Sequence, residues 1–448
     1  MAALDSANRS SSRFAAFALG LALLGAGSMA YYHLGWFIPR AREMAAAKGL
    51  EHGYAFGNDF YPLWVTTREC LLHRCDPYSA EMTLRIQTGL FGRPLYPQIP
   101  SDPTDLRMFP SPLFTLLLLW PASELPFESA RIAVVISLAA MTLAGVLLWL
   151  RAFAWRPNRN WLAVIILLTM SSYPVLEGLY AGQLGLLVGF LLATSIVALQ
   201  RGRHLLAGFL IALTTIKPQV TLLVILYLLF WSTHDWRRRG RFFAGLFLAM
   251  LVLLGASLAV RPNWIQSWAH TVLAYHQYAP PPLVTVVLSS LVAPRAAVGA
   301  TIVMLGAVMV FALVLAWRHR AAAADSLEFW LTLSLLLAIT SITLLPGQAV
   351  YDHVILLPGI LFLARYWWEL RHHDGITRIL LPVGAIVLFW PWVAAFGLLV
   401  LSRLPSRILD STAVLSLPIR TAASLPFAVL ALLAYATRVH LVRSRESA

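Results

Sequence analysis

Phe109-Pro110-Ser111-Pro112-Leu113-Phe114-Thr115-Leu116-Leu117-Leu118-Leu119-Trp120-Pro121 is a short apolar run that opens on two prolines and is closed by a third. Leu113 to Trp120 is too brief to cross a bilayer. A spanning helix needs about 20 apolar residues, and shorter runs dip in or lie along the interface. How this run is counted fixes the sidedness of everything after it. Read as re-entrant, it puts Arg151, Arg156 and Arg159, which follow the next apolar stretch, on the same side as Arg9 and Arg13. Read as a span, it puts every later basic cluster opposite the N-terminus. Arginines collect on the cytoplasmic side, which selects the re-entrant reading and a cytoplasmic N-terminus.

Working outward, the chain predicts an all-α polytopic membrane protein with about 12 transmembrane helices. The expected spans are Phe14–Trp36, Phe127–Leu150, Trp161–Tyr173, Leu184–Leu199, Leu205–Ile216, Val220–Trp231, Phe242–Val260, Ala296–Trp317, Leu327–Leu345, Val354–Trp367, Ile379–Leu399 and Thr421–Thr437. Both termini then face the cytoplasm. Val284–Val292 reads as a second re-entrant run. Arg261, Arg295, Arg403, Arg407 and Arg420 fall on the external side and are exceptions to the charge rule. The chain reads as one integral membrane domain over 1–448, with a first external loop at 37–109 and a second at 261–283. Pro39–Lys48 and Ser79–Leu90 are expected as helices lying on the membrane surface.

Composition agrees with a membrane protein. Of 448 residues, 59% are hydrophobic and 12% charged, and mean hydropathy is +0.73. A soluble domain is about 25% charged. The formal charge of +14 suits anionic headgroups rather than nucleic acid. Lys48 and Lys217 are the only lysines, which sets Lys217, inside an apolar stretch, apart. Cys70 and Cys75 are five apart, a spacing awkward for a bridge on a regular helix. An oxidising location would permit one, and the sequence leaves the pairing open.

The unusual polar residues fall on one side of this topology. Asp59 lies in the first external loop, within Asn58-Asp59-Phe60-Tyr61-Pro62-Leu63-Trp64. Glu177, Gly182 and Gln183 are expected in the turn between the third and fourth spans, and Lys217-Pro218-Gln219 between the fifth and sixth. Pro346-Gly347-Gln348 and Tyr351-Asp352-His353 lie between the ninth and tenth. Ionisable groups at membrane depth are costly and face cavities, so shared sidedness points to one external site. Asp59 is the candidate base, and Lys217 the cation for a phosphate. Gly182 and Gln183 offer close backbone approach and an amide; Tyr351, Asp352 and His353 are candidates for sugar or phosphate contact. Taken singly, each has a plainer explanation: a helix cap, a snorkelling lysine, a tight turn, an interfacial pair. Arg68, Arg107, His73, His270 and His276 rank below them, because exposed loop residues need no special account. Loop aromatics such as Tyr61, Trp64, Trp264, Trp268 and Tyr275 fit an interfacial belt.

In order along the chain, Asp59-Phe60-Tyr61, Asp76-Pro77-Tyr78, Phe109-Pro110-Ser111-Pro112-Leu113, Gly182-Gln183, Ala207-Gly208, Ile216-Lys217-Pro218 and Tyr351-Asp352 resemble the motifs of glycosyltransferase family 87. The resemblance implies a GT-C fold with surface helices from the first external loop over a cavity. It implies Asp59 as catalytic base and metal-independent, inverting transfer, with no cofactor. The implied donor is a polyprenyl-phosphate sugar such as the mannose form, and the acceptor a lipid or envelope glycan. The implied location is the outer face of a bacterial inner membrane. The competing reading is a multi-span transporter or flippase of lipid-linked or amphiphilic substrates, and a third is a non-catalytic assembly partner. Transporters often carry internal repeats, and none is visible in this sequence.

Overall fold

A computed structural model describes residues 2–50, 52–73, 75–96, 98–347, 349–371, 376–403 and 412–446. Gln348 and Arg407 lie outside them, as do the side chains of His276 and Arg295. The described residues are helical, with a single isolated β-bridge between Pro282 and Pro346. In chain order the α-helices are α1 (Ala2–Ala30), α2 (Ile38–Ala46), α3 (Phe60–His73), α4 (Ala80–Phe91), α5 (Phe114–Ser123), α6 (Phe127–Ala152), α7 (Arg159–Met170), α8 (Tyr173–Ala181), α9 (Gly185–Gln200), α10 (His204–Leu213) and α11 (Pro218–His234). There follow α12 (Trp236–Val260), α13 (Trp264–Tyr278), α14 (Leu283–Leu291), α15 (Pro294–Arg318), α16 (Leu327–Thr343), α17 (Leu357–Arg365), α18 (Trp367–Arg371), α19 (Thr377–Leu401), α20 (Thr412–Leu415), α21 (Leu417–Ala422) and α22 (Leu425–Glu446).

Among the described residues six helices are long and apolar enough to cross a membrane, or seven if α7 and α8, bent by 54°, form one broken span. Of the about 12 spans expected, these are long enough as single helices; the remaining apolar runs form shorter helices. α9, α11 and α16 have 16 or 17 residues, and α17 has nine. The shortening has a local cause. The apolar runs are interrupted by Gly182-Gln183, by Lys217-Pro218 and by the 3₁₀ turn Val350–Leu356, all polar segments that the fold draws inward. α5 has ten residues, about 15 Å at 1.5 Å per residue, roughly half the hydrocarbon thickness. It runs through Pro121 to Ser123 rather than stopping at the proline.

Two further expectations change. Pro39–Lys48 is not a separate surface helix. α1 continues through a π-helical turn, Tyr31–Phe37, into α2, and Pro39, which has no N–H to give, lies just past that turn. Glu177 lies within α8, not in the turn after it. Ser79–Leu90 does appear, as α4, with the Ser79 hydroxyl capping Met82 N–H. α3, which follows Asp59 directly, was not anticipated.

α16 is the spine, with every residue from Phe329 to Thr343 buried against α11, α22 and the 3₁₀ turn. α10 and α12 cross at backbone distance. A Cβ on Gly208 would overlap the Phe242 carbonyl, and one on Gly245 the Leu205 carbonyl, the small-residue contact that membrane helices use to approach. The first loop is pinned by polar ties. Arg93 donates to both oxygens of Asp102, which also takes Tyr96 N–H, and these bonds hold the Asp102 carboxyl down at about 2.

Cys70 and Cys75 form a disulfide. The spacing objection fails because α3 ends at His73, so Cys75 is off the helix. Next to the bridge, Asp76 accepts from Arg261 Nη2 at 2.5 Å. That pair gives Arg261, expected as an exception to the charge rule, a carboxylate partner. Tyr78 donates to Ser111 O at 3.0 Å and packs on Phe109. The Asp76-Pro77-Tyr78 motif thus fastens the first loop to the start of α5 and to the second loop.

Candidate active site

The loop before α3 is set between two supports. Gly57 N–H donates to Tyr180 O and Asp59 N–H to Ala181 O, pairing it with the α8–α9 turn. Gly182 closes α8 at φ +74°, a left-handed conformation natural to glycine, and a Cβ there would stand 2.7 Å from the Phe60 Cβ. The turn therefore needs glycine twice, for its backbone and for the approach of α3.

This pairing delivers Asp59 to Gln183. Gln183 Nε2 donates to Asp59 Oδ2 at 2.5 Å, and Gln183 Oε1 accepts from Lys217 Nζ at 2.9 Å. Lys217 Nζ also donates to Asp352 Oδ1 and Oδ2 at 2.8 and 3.1 Å, and lies 4.9 Å from the centre of the Tyr351 ring. On the other flank Arg107 Nη1 donates to Asp59 Oδ1 at 2.6 Å. Five segments distant in sequence thus supply one chain: Arg107, Asp59, Gln183, Lys217, Asp352. Its signs alternate and sum to zero, with a neutral amide between two ion pairs. The amide's orientation is fixed, since its carbonyl must face the ammonium and its NH₂ the carboxylate.

Burial sharpens the arrangement. The Asp352 side chain is 2% exposed, Asp59 15% and Lys217 17%. Burial pushes the Asp352 carboxyl up, against the pull of the Lys217 ammonium. Gly185 makes room for that carboxylate, because a Cβ there would overlap Asp352 Oδ1. Burial works against charge on Arg107, but the Asp59 and Asp105 carboxylates outweigh it and raise its pKa. Arg107 adopts φ +54°, uncommon outside glycine, with its N–H bonded to Asp105 Oδ1. The second loop reaches the cluster through α13: burial and the charges of Asp105, Asp59 and Asp352 push the Tyr275 phenol up to about 12.

The sequence candidates therefore divide. Asp59, Gln183, Lys217, Asp352 and Tyr351 come together on the Gly182 turn. His353 is buried in the same 3₁₀ turn, yet neither ring nitrogen has a hydrogen-bond partner among the described residues. Arg68 stacks on Trp64, His73 lies beside Glu69, and His270 is exposed. Arg107 was ranked low and proves central; Gly185 was not singled out. The Asp105-X-Arg107 spacing is the sequence trace of Arg107, whose N–H bonds to Asp105 Oδ1. Among the described residues no three His, Cys, Asp or Glu gather as a metal site.

Chemically, a carboxylate whose oxygens each retain a free lone pair can take a proton, and two cations close by can stabilise a leaving phosphate. A family model, glycosyltransferase family 87, matches residues 109–346, more than half of the 448-residue chain. The chain belongs to that family and is a multi-span membrane glycosyltransferase. The match includes Gly182, Gln183 and Lys217; Asp59 and Asp352 lie outside it. No curated protein and no solved structure matches the chain significantly.

Proposed function

We propose that this family 87 enzyme moves a hexose, with mannose the expected sugar, from a polyprenyl-phosphate donor to a lipid or envelope glycan acceptor, with inversion. The observation that carries the reading is the continuous contact from Asp59 through Gln183 to Lys217 and Asp352. In the reaction the acceptor hydroxyl oxygen bonds to C1 of the sugar as the C1–O bond to phosphate breaks. The hydroxyl proton passes to Asp59, and the bonding electrons leave with the phosphate. Lys217, with Arg107, balances the charge that builds there. Gln183 holds base and cation at a fixed separation, and Gly182 and Tyr351 shape the turn and the cation's seat. His353, buried with unpaired nitrogens, is assigned to the donor head group.

Family membership favours catalysis over transport. We place the site on the outer face of a bacterial inner membrane, in a GT-C arrangement with both termini cytoplasmic, the shorter helices completing its spans. The Cys70–Cys75 disulfide supports that side, because such bonds persist in oxidising compartments.

Asp59→Asn tests the base. Transfer from a polyprenyl-phosphate sugar should fall about 10²–10⁴-fold, the usual worth of a general base, with expression and folding intact. Normal transfer by that variant would remove Asp59 from the role. Mass spectrometry of lipids and envelope glycans from a deletion strain should show one hexose-bearing product missing and its precursor accumulating.

A further inference from the structure

The five linked groups leave no net charge for an anion to find. Arg107 and Lys217 are each already matched by a carboxylate, Asp59 and Asp352. A donor phosphate needs a cation, so its arrival has to open one of the two pairs. The Lys217–Asp352 pair resists opening. Asp352 is 2% exposed, Lys217 holds both its oxygens, and only a glycine at 185 leaves room for the carboxylate. Opened, that pair would strand a charge away from water. The Arg107–Asp59 pair opens more easily. Its side chains are 25% and 15% exposed and meet at Nη1 and Oδ1, 2.6 Å apart. Each partner also has a second contact to keep. Asp59 retains the Gln183 amide on Oδ2, and Arg107 has Asp105 Oδ2 at 3.8 Å from its Nε.

We propose that the donor phosphate takes Arg107 from Asp59, so that binding the donor and releasing the base are one event. The movement is confined to a side chain. The Arg107 backbone stays anchored, because its N–H is bonded to Asp105 Oδ1 at 2.9 Å. Gln183, whose carbonyl remains on Lys217, keeps Asp59 in place through its amide. Asp59 then has that amide alone, and the oxygen that the guanidinium held is open to the acceptor hydroxyl. Arg107 is thereby a positioning residue for the base as well as a ligand of the phosphate. The assignment rests on the phosphate-linked donor and on Asp59 as the base, and adds to them the exchange that couples the two.

The test uses the full chain in nanodiscs and measures the affinity of farnesyl phosphate, with farnesol as the uncharged control, which reads binding without chemistry. Farnesyl phosphate should bind Asp59→Asn about five-fold or more tighter than the parent, because the guanidinium no longer has to leave a carboxylate. Misfolding cannot imitate a gain in affinity. Arg107→Gln should bind it more weakly, and Arg107→Lys should recover part of the loss. The double variant decides the matter. With Arg107→Gln in place, Asp59→Asn should change affinity by less than about two-fold, since no guanidinium is left to release. Equal gains in the two backgrounds would show plain charge repulsion by Asp59 and overturn the exchange. Unchanged affinity in Asp59→Asn would overturn it too, and would leave the base assignment standing. Farnesyl phosphate that binds no better than farnesol would remove the phosphate site, and the exchange with it. Normal turnover by Asp59→Asn would end the base assignment, while the affinity cycle still decided the exchange.

Discussion

Lys217 faces two acceptors at once, and the cost of removing it depends on what is left behind. Lys217→Met leaves Asp352 at 2% exposure with no cation, and stripping one partner from a buried pair costs about 3 kcal/mol or more. The double variant Lys217→Met/Asp352→Leu removes both charges and should unfold at a higher temperature than Lys217→Met alone, although both lose transfer. A scan of the three proteins in one detergent checks this, and equal losses would mean the pair is not coupled. Gly185→Ala attacks the same pair from its other side, pressing a methyl group on the Asp352 carboxylate. It should cut turnover at least ten-fold with expression retained, measured with a radiolabelled donor. His353 gives a pH effect of definite sign. Burial lowers its pKa from 6.5 to about 3. Between those values the unfolded chain binds a proton that the folded chain refuses, so stability falls as pH drops below 6.5, by up to about 1.4 kcal/mol per pH unit. His353→Leu should flatten that slope in melts taken from pH 7 to pH 4.5, and an unchanged slope would show that His353 is not the group responsible.

Helices decide how these residues meet, and here the sequence was legible unevenly. Asp59, Gln183, Lys217 and Asp352 could be singled out because each interrupts or borders an apolar stretch, where an ionisable or amide group demands a reason. Arg107 could not, because it sits in a polar loop where arginine is ordinary, and its φ of +54° is a tertiary outcome. α3 escaped notice because Pro62 and Gly57 made its start read as loop, yet proline in a first turn is compatible with a helix. The cysteine spacing looked unfavourable only for one regular helix through both, whereas α3 ends at His73, before Cys75. The bridge now closes a small loop between the end of α3 and Asp76, and the chain-entropy relation gives such a loop about 2 kcal/mol. Cys70→Ser/Cys75→Ser should therefore lose about that much at most, and hydrogen exchange should rise first around residues 75–79. Protection unchanged there would mean the Asp76–Arg261 pair and the Tyr78 bond hold the loop unaided.

At the scale of the molecule, hydropathy announced an all-helical membrane protein, but not which apolar runs become helices of full spanning length. It treats every apolar run alike, whereas α9, α11 and α16 stop short where polar turns enter the protein. A cluster so assembled works only if one face of the membrane is common to all its segments, and that proposition is open to direct measurement. Both native cysteines are in the disulfide, so single introduced thiols report cleanly. Ser101 and Gln277 are exposed in the first loop and at the end of α13; Arg238 and Arg318 are exposed in the basic clusters between helices. The arginine distribution puts the first two outside and the last two inside. In intact spheroplasts an impermeant maleimide should modify Ser101→Cys and Gln277→Cys, and should reach Arg238→Cys and Arg318→Cys only after lysis. Labelling of Arg238→Cys before lysis would reverse the orientation and put the Asp59 cluster on the cytoplasmic face. Protection of either Ser101→Cys or Gln277→Cys alone would place the two loops on opposite faces. Because Asp76 and Arg261 join those loops directly, that outcome would also contradict the fold itself.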